Sequence, residues 1–227
     1  MNRIEIRKRI EEVGIIPSIR VWKAEEALFA AEAVIHGGIP IAEIALTVPE
    51  AFRLISQVAR NTPEVLVGAG GVSDLEEARR SLDAGAQFLT SDGFDAAVVK
   101  FAVQQNVVVI PGVLTPTEII SAWKLDPDFV KVVPCGQIGG NRYIRSLKAM
   151  FPKLRMIAAG GVTQQTAFDL IWAGAAALGV GRELIPREAI RNRDPGQIGE
   201  LARRFLQFVS SARSQFAAGR PNQGAGI

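Results

Sequence analysis

Short apolar runs alternate along the chain with stretches whose apolar residues recur at helical spacing. The runs over 15–22, 41–46, 65–72, 87–91, 106–111, 128–134, 155–159 and 176–180 read as buried strands. Between them, helices are expected over 25–35, 49–59, 74–84, 95–104, 116–124, 142–150 and 164–173. Thr47 stands where it can cap the helix over 49–59, and Ser73 or Asp74 the one over 74–84. An amphipathic helix over 4–13, ended by Gly14, precedes the first strand, and a long closing helix over 194–217 follows the last. Eight strands, each followed by a helix in units of about twenty to thirty residues, imply a parallel sheet. Short connections favour closure into an α/β fold of the (β/α)8 TIM-barrel type, with an open doubly wound sheet as the alternative. No boundary interrupts the pattern, so residues 1–217 read as one barrel domain. The Gly- and Pro-rich tail 218–227 is expected to be disordered.

Composition narrows the chemistry. The chain has 227 residues, 48% hydrophobic and 22% charged, enough for one α/β barrel. Its 26 basic and 23 acidic side chains leave a net charge of +3, and no basic run is interleaved with aromatics, which argues against nucleic acid. The N-terminus carries no apolar signal-like core and no stretch reaches membrane-spanning length, so neither secretion nor a membrane is expected and the cytoplasm is the default. One cysteine, Cys135, excludes an intrachain disulfide and a cysteine metal cluster. The single histidine, His36, leaves no room for a zinc–histidine or Ser-His-Asp site, and its place at the end of a helix, on the barrel face away from the strand ends, reads as structural.

Function in such a barrel gathers at the carboxyl ends of the strands. The residue that stands out there is Lys131, alone among the apolar residues of 128–134. An ammonium in an apolar interior is costly and tends to give up its proton, and a neutral amine attacks carbonyls. The plainer alternative is a lysine that snorkels outward or pairs with a carboxylate. If Lys131 points into the barrel, Phe129 and Val133 do too, and on the second strand Glu43 shares a face with Ile41 and Ala45. A lysine and a glutamate inside one barrel form either a structural ion pair or a nucleophile with a proton shuttle. Gly160-Gly161 after the seventh strand and Gly179-Val180-Gly181 at the end of the eighth fit a backbone cradle for phosphate, to which Arg182 adds a charge. Cys135, just beyond the lysine strand, is either a small loop residue or a lining residue of the site.

Several stretches together resemble a known family. Ile41-Ala42-Glu43-Ile44-Ala45-Leu46-Thr47-Val48-Pro49, Gly68-Ala69-Gly70, Ile110-Pro111-Gly112-Val113-Leu114-Thr115-Pro116, Lys131-Val132-Val133-Pro134 and Gly160-Gly161-Val162 fall in the order and spacing of the class I 2-keto-3-deoxy-6-phosphogluconate (KDPG) aldolases, which also act on 4-hydroxy-2-oxoglutarate. The resemblance covers roughly residues 14–186. It implies a homotrimeric (β/α)8 barrel without metal or cofactor, cleaving a 2-keto-4-hydroxy acid to pyruvate and an aldehyde. It makes Lys131 the Schiff-base lysine and Glu43 the general acid/base, and puts Arg20, Thr47, Gly70, Gly71 and Pro111 around the keto acid. Gly160, Gly161, Gly179, Gly181 and Arg182 fall at the phosphate end. The chain also departs from the pattern. Thr47 replaces an arginine common in the family, Gly71 and Ala159 replace threonines, Ser91-Asp92-Gly93 replaces Ser-Pro-Gly, and Cys135-Gly136 follows Pro134. Two other readings stay open: a β-keto acid decarboxylase, acting on oxaloacetate through the same lysine, and a non-catalytic barrel that senses a phosphorylated metabolite.

Overall fold

In the computed structural model, which describes residues 1–218, all strand pairings are parallel and run through one sheet. The strands are β1 (Ile15–Ile19), β2 (Ile41–Ala45), β3 (Leu66–Gly70), β4 (Phe88–Thr90), β5 (Val108–Ile110 and Gly112–Val113), β6 (Val130–Val132), β7 (Met156–Ala159) and β8 (Ala177–Val180). The two halves of β5 are one pass broken at Pro111, which has no N–H to give to a ladder. The first half pairs with β4 and the second with β6, while β1 pairs with β8, so the ladder runs round a barrel. The open-sheet alternative is set aside. The tail 219–227 lies outside the described residues.

The helices are α1 (Arg3–Val13), α2 (Ala24–His36), α3 (Ala51–Asn61), α4 (Leu75–Asp83), α5 (Ala96–Gln104), α6 (Pro116–Trp123), α7 (Asn141–Met150), α8 (Gln164–Trp172), α9 (Arg187–Arg191) and α10 (Pro195–Ala218). Asp74 caps α4 by accepting from Glu77 N, and Asp95 caps α5 by accepting from Ala97 N and Val98 N. Thr47 does not cap α3. The chain leaves β2 through turns in which Val48 N bonds Ala45 O at 2.9 Å and Ala51 N bonds Val48 O at 3.2 Å, so the helix starts later, at a Glu50 cap with φ 59°. The short helix α9 was not expected from the sequence pattern. The closing helix buries Ile198, Ala202, Phe205, Val209 and Ala212, one face at alternating four- and three-residue steps, and packs on α8 and α2. Its Arg213 donates to Glu12 O at 2.7 Å and Ala176 O at 3.0 Å, tying α1 to the entrance of β8. Asp128, expected inside the sixth strand, lies just before it, where its buried carboxylate accepts from Arg3 Nε at 2.8 Å.

Inward positions alternate along each strand. Ser18, Glu43 and Gly68 stand level on β1, β2 and β3, and Gly68 stands level with Phe88 on β4. A Cβ on Gly68 would lie 2.3 Å from the Phe88 ring, so glycine there lets the phenyl fill the barrel's deep half. Lys131 pairs with Gly112 and Ile157, one step from the carboxyl end of β6. Among the described residues no helix is long and apolar enough to cross a membrane.

Candidate active site

Lys131 stands on β6 with 6% of its surface exposed, its backbone N–H held by Pro111 O at 2.8 Å. Its amine donates to Asp92 Oδ1 at 2.8 Å and, at 3.4 Å, to Thr90 Oγ1. Thr90 in turn donates to Glu43 Oε2 at 2.8 Å, and Ser18 Oγ donates to Glu43 Oε1 at 2.8 Å. Both oxygens of the 4% exposed Glu43 are therefore acceptors, joined to the lysine through one threonine hydroxyl. Gly70 makes the space for this carboxylate, since a Cβ there would sit 2.5 Å from Glu43 Oε1. That is the structural role of Gly70, and the residue does not line the cavity around Lys131.

Asp92 sits on the loop after β4, half-exposed, and its Oδ2 accepts from Arg20 Nη2 at 3.1 Å. Burial pushes its carboxyl up, but the charge and hydrogen bond of Lys131, and then those of Arg20, outweigh it and hold the group below the usual carboxylate range. The lysine is thus not isolated among apolar groups, because an ammonium on it has a carboxylate partner.

A cavity of about 450 Å³ opens over these groups, lined among others by Ser18, Arg20, Glu43, Asp92, Lys131 and Val133. Gly160, Gly161, Gly179, Gly181 and Arg182 line its other side. Gly160 and Gly161 have φ of 74° and 80°, a region glycine enters at no steric cost. Among the loop hydrogen bonds of the described residues, the N–H groups of Gly160, Gly161 and Gly181 donate to no carbonyl. A second cavity of about 710 Å³ adjoins the first through Ser18, Arg20, Gly181 and Arg182, and Thr47 lines this one and not the space around the lysine. Gly71 (φ 75°) stands at the mouth, where a Cβ would lie 3.8 Å from Asp92 Oδ2 and 4.0 Å from Arg20 Nη2. Pro111 acts through its carbonyl on the lysine strand and is not among the cavity-lining residues.

Cys135 is fully buried outside the cavity, its Sγ 3.7 Å from Gly140 O, and burial pushes its thiol up to about 11. His36 is on the far face, its Nδ1 2.7 Å from Glu32 O. No group of three or more His, Cys, Asp or Glu that could hold a metal ion is found among the described residues. Three polar neighbours escaped the sequence reading: Ser18, Thr90 and Asp92. For the first two, the inward phase shared with Glu43 was the available signal. For Asp92 it was the loss of the proline between Ser91 and Gly93.

Known proteins carry the same frame. A model of the aldolase family described as KDPG and KHG aldolase matches residues 6–201. The 2-dehydro-3-deoxy-phosphogluconate aldolase of Treponema pallidum is 30% identical over 91% of this chain and 98% of its own. The KHG/KDPG aldolase of Escherichia coli K12 is 28% identical over 85% of this chain and 91% of its own. The KDPG aldolase of Legionella pneumophila, solved with pyruvate captured as a covalent carbinolamine, superposes with a TM-score of 0.80 at 27% identity, covering 87% of this chain and 96% of that one. A buried lysine and glutamate inside a parallel barrel, within a match that takes in β1 to β8, leave one assignment: the chain belongs to the KDPG and KHG aldolase family and is a lyase of the aldolase type.

Proposed function

We propose that the enzyme cleaves KDPG or 4-hydroxy-2-oxoglutarate to pyruvate and an aldehyde through a Schiff base on Lys131. The observation that carries this is the Lys131 amine, buried yet opening on a cavity that also holds the Glu43 carboxylate. The amine of Lys131 adds to C2 of the keto acid, and loss of water leaves an iminium. Glu43 takes the C4 hydroxyl proton as the C3–C4 bond breaks, its electron pair flowing into the iminium to give an enamine. Protonation at C3 and hydrolysis release pyruvate. Arg20 meets the substrate carboxylate in this reading. The undonated N–H groups of Gly160, Gly161 and Gly181, with Arg182, suit an anion at the aldehyde end.

Incubation with pyruvate and borohydride tests the reading. One reduced pyruvyl group on Lys131 is expected, together with pyruvate release from KDPG and 4-hydroxy-2-oxoglutarate. An adduct mapped to another lysine, or none, overturns it. The same reading takes the chain as a cytoplasmic homotrimer, on the family resemblance. Light scattering at three times the 24.4 kDa chain mass and recovery in the cytosolic fraction are the corresponding checks.

A further inference from the structure

The carboxylate paired with the Lys131 amine is Asp92, while Glu43 lies deeper with both oxygens engaged by hydroxyls. Asp92 is also held in place. Ser91 N bonds Ile110 O at 3.1 Å and Gly112 N bonds Gly93 O at 3.1 Å, one clamp on either side of it. A Cβ on Gly112 would lie 2.4 Å from the Asp92 carbonyl carbon, so the two backbones meet with no side chain between them. Building on the reading of Lys131 as the nucleophile, we propose that Asp92 is a second catalytic acid–base group, which moves the protons of Schiff-base formation and hydrolysis while Glu43 serves the carbon–carbon bond.

The steps balance. Asp92 takes a proton from the Lys131 ammonium, giving a neutral amine and a carboxylic acid. The nitrogen lone pair forms the N–C2 bond, the C2=O π pair moves onto oxygen, and a nitrogen proton passes to that oxygen to give the carbinolamine. Asp92 then donates its proton to the hydroxyl, which departs as water with the C2–O electron pair. The nitrogen lone pair closes the C=N bond, and Asp92 is again a carboxylate. One positive charge enters on the ammonium and one remains on the iminium. Geometry fits this division of labour: Asp92 Oδ1 is 2.8 Å from Nζ, and the half-exposed side chain stands at the mouth, where water leaves.

The test is the rate of pyruvate adduct formation on Lys131, read by borohydride quench at timed intervals. Asp92→Asn keeps the shape and loses the basicity, and the adduct should form roughly a hundredfold more slowly or worse. If Asp92 were only an ion-pair partner, its loss would free the amine and the adduct would form as fast or faster, and that outcome overturns the proposal. Asp92→Ala opens a space that a small carboxylate can enter, and formate should restore its rate in proportion to concentration. A variant that stays slow in formate also overturns the proposal, because lost basicity is then not the cause. Failure of the unaltered protein to form any Lys131 adduct is a separate result and refutes the role of Lys131 itself.

Discussion

Gly68 and Gly70 lie two residues apart on β3 and face the same barrel interior, but different things fill the space each leaves. Over Gly68 lies the Phe88 ring, wholly buried and held by packing alone; over Gly70 lies the Glu43 carboxylate, fixed by two hydroxyls. The deep half is therefore governed by volume, and its residues matter as much as they fit. The mouth is governed by hydrogen bonds whose partners are individually required, since an unmatched buried carboxylate is costly. One strand, by the same omission of a side chain, serves packing at one level and chemistry at the next.

Breaking the mouth outright gives the largest effect. Lys131→Met should abolish both the borohydride-trapped adduct and pyruvate release, with the melting temperature little changed. Glu43→Gln should lower aldol cleavage by about a hundred- to ten-thousand-fold, the size of a general-base contribution, while the pyruvyl adduct remains trappable. Oxaloacetate decarboxylation should fall less, because carbon dioxide leaves without a base; equal losses on the two substrates would remove Glu43 from the C4 hydroxyl.

The paired alanines sharpen the contrast between levels. Gly70→Ala puts a methyl 2.5 Å from Glu43 Oε1, and displacing that carboxylate by about an ångström should cost up to roughly a hundredfold in kcat. Gly68→Ala puts one 2.3 Å from the Phe88 ring and should cost about 1–3 kcal/mol of stability, with the activity per folded molecule retained. Denaturant titration and kinetics on both variants check this, and the comparison fails if the losses fall the other way round.

The smallest effect concerns pH. Burial raises the Asp92 carboxyl and its two cations lower it further, so the folded value lies below the unfolded one. Its contribution to stability is present above the unfolded carboxylate value of about 3.9 and is lost as pH falls through the folded value. The excess in melting temperature of the wild type over Asp92→Asn should therefore shrink from pH 6 towards pH 3. With the side chain half in solvent, the excess is small from the start.

The order of strands and helices was legible because burial on both faces of a parallel strand leaves a local, uninterrupted apolar run, as at 65–72 and 176–180. Lys131 and Glu43 were legible for the same reason, as charges where the run allows none. Asp92 was not, because a loop aspartate says nothing about which strand end it faces, and its meeting with Lys131 depends on β4, β5 and β6 lying side by side. Thr90 and Ser18 needed the register between strands, a nonlocal quantity. Gly70 was read as touching substrate; its actual office, making room for Glu43, depends on the same register. Thr47 failed as a cap because the turn at 45–51 delays the helix, which local residue preference does not reveal.

The lone imidazole has a spectroscopic use. His36 is exposed, at the end of α2 that precedes β2, away from Lys131 and Asp92. A proton NMR spectrum of this protein should show a single set of histidine ring signals. Diethyl pyrocarbonate, which acylates imidazole, should modify that ring without loss of turnover. Turnover that survives this treatment leaves the proton transfers of the reaction to carboxylates and amines.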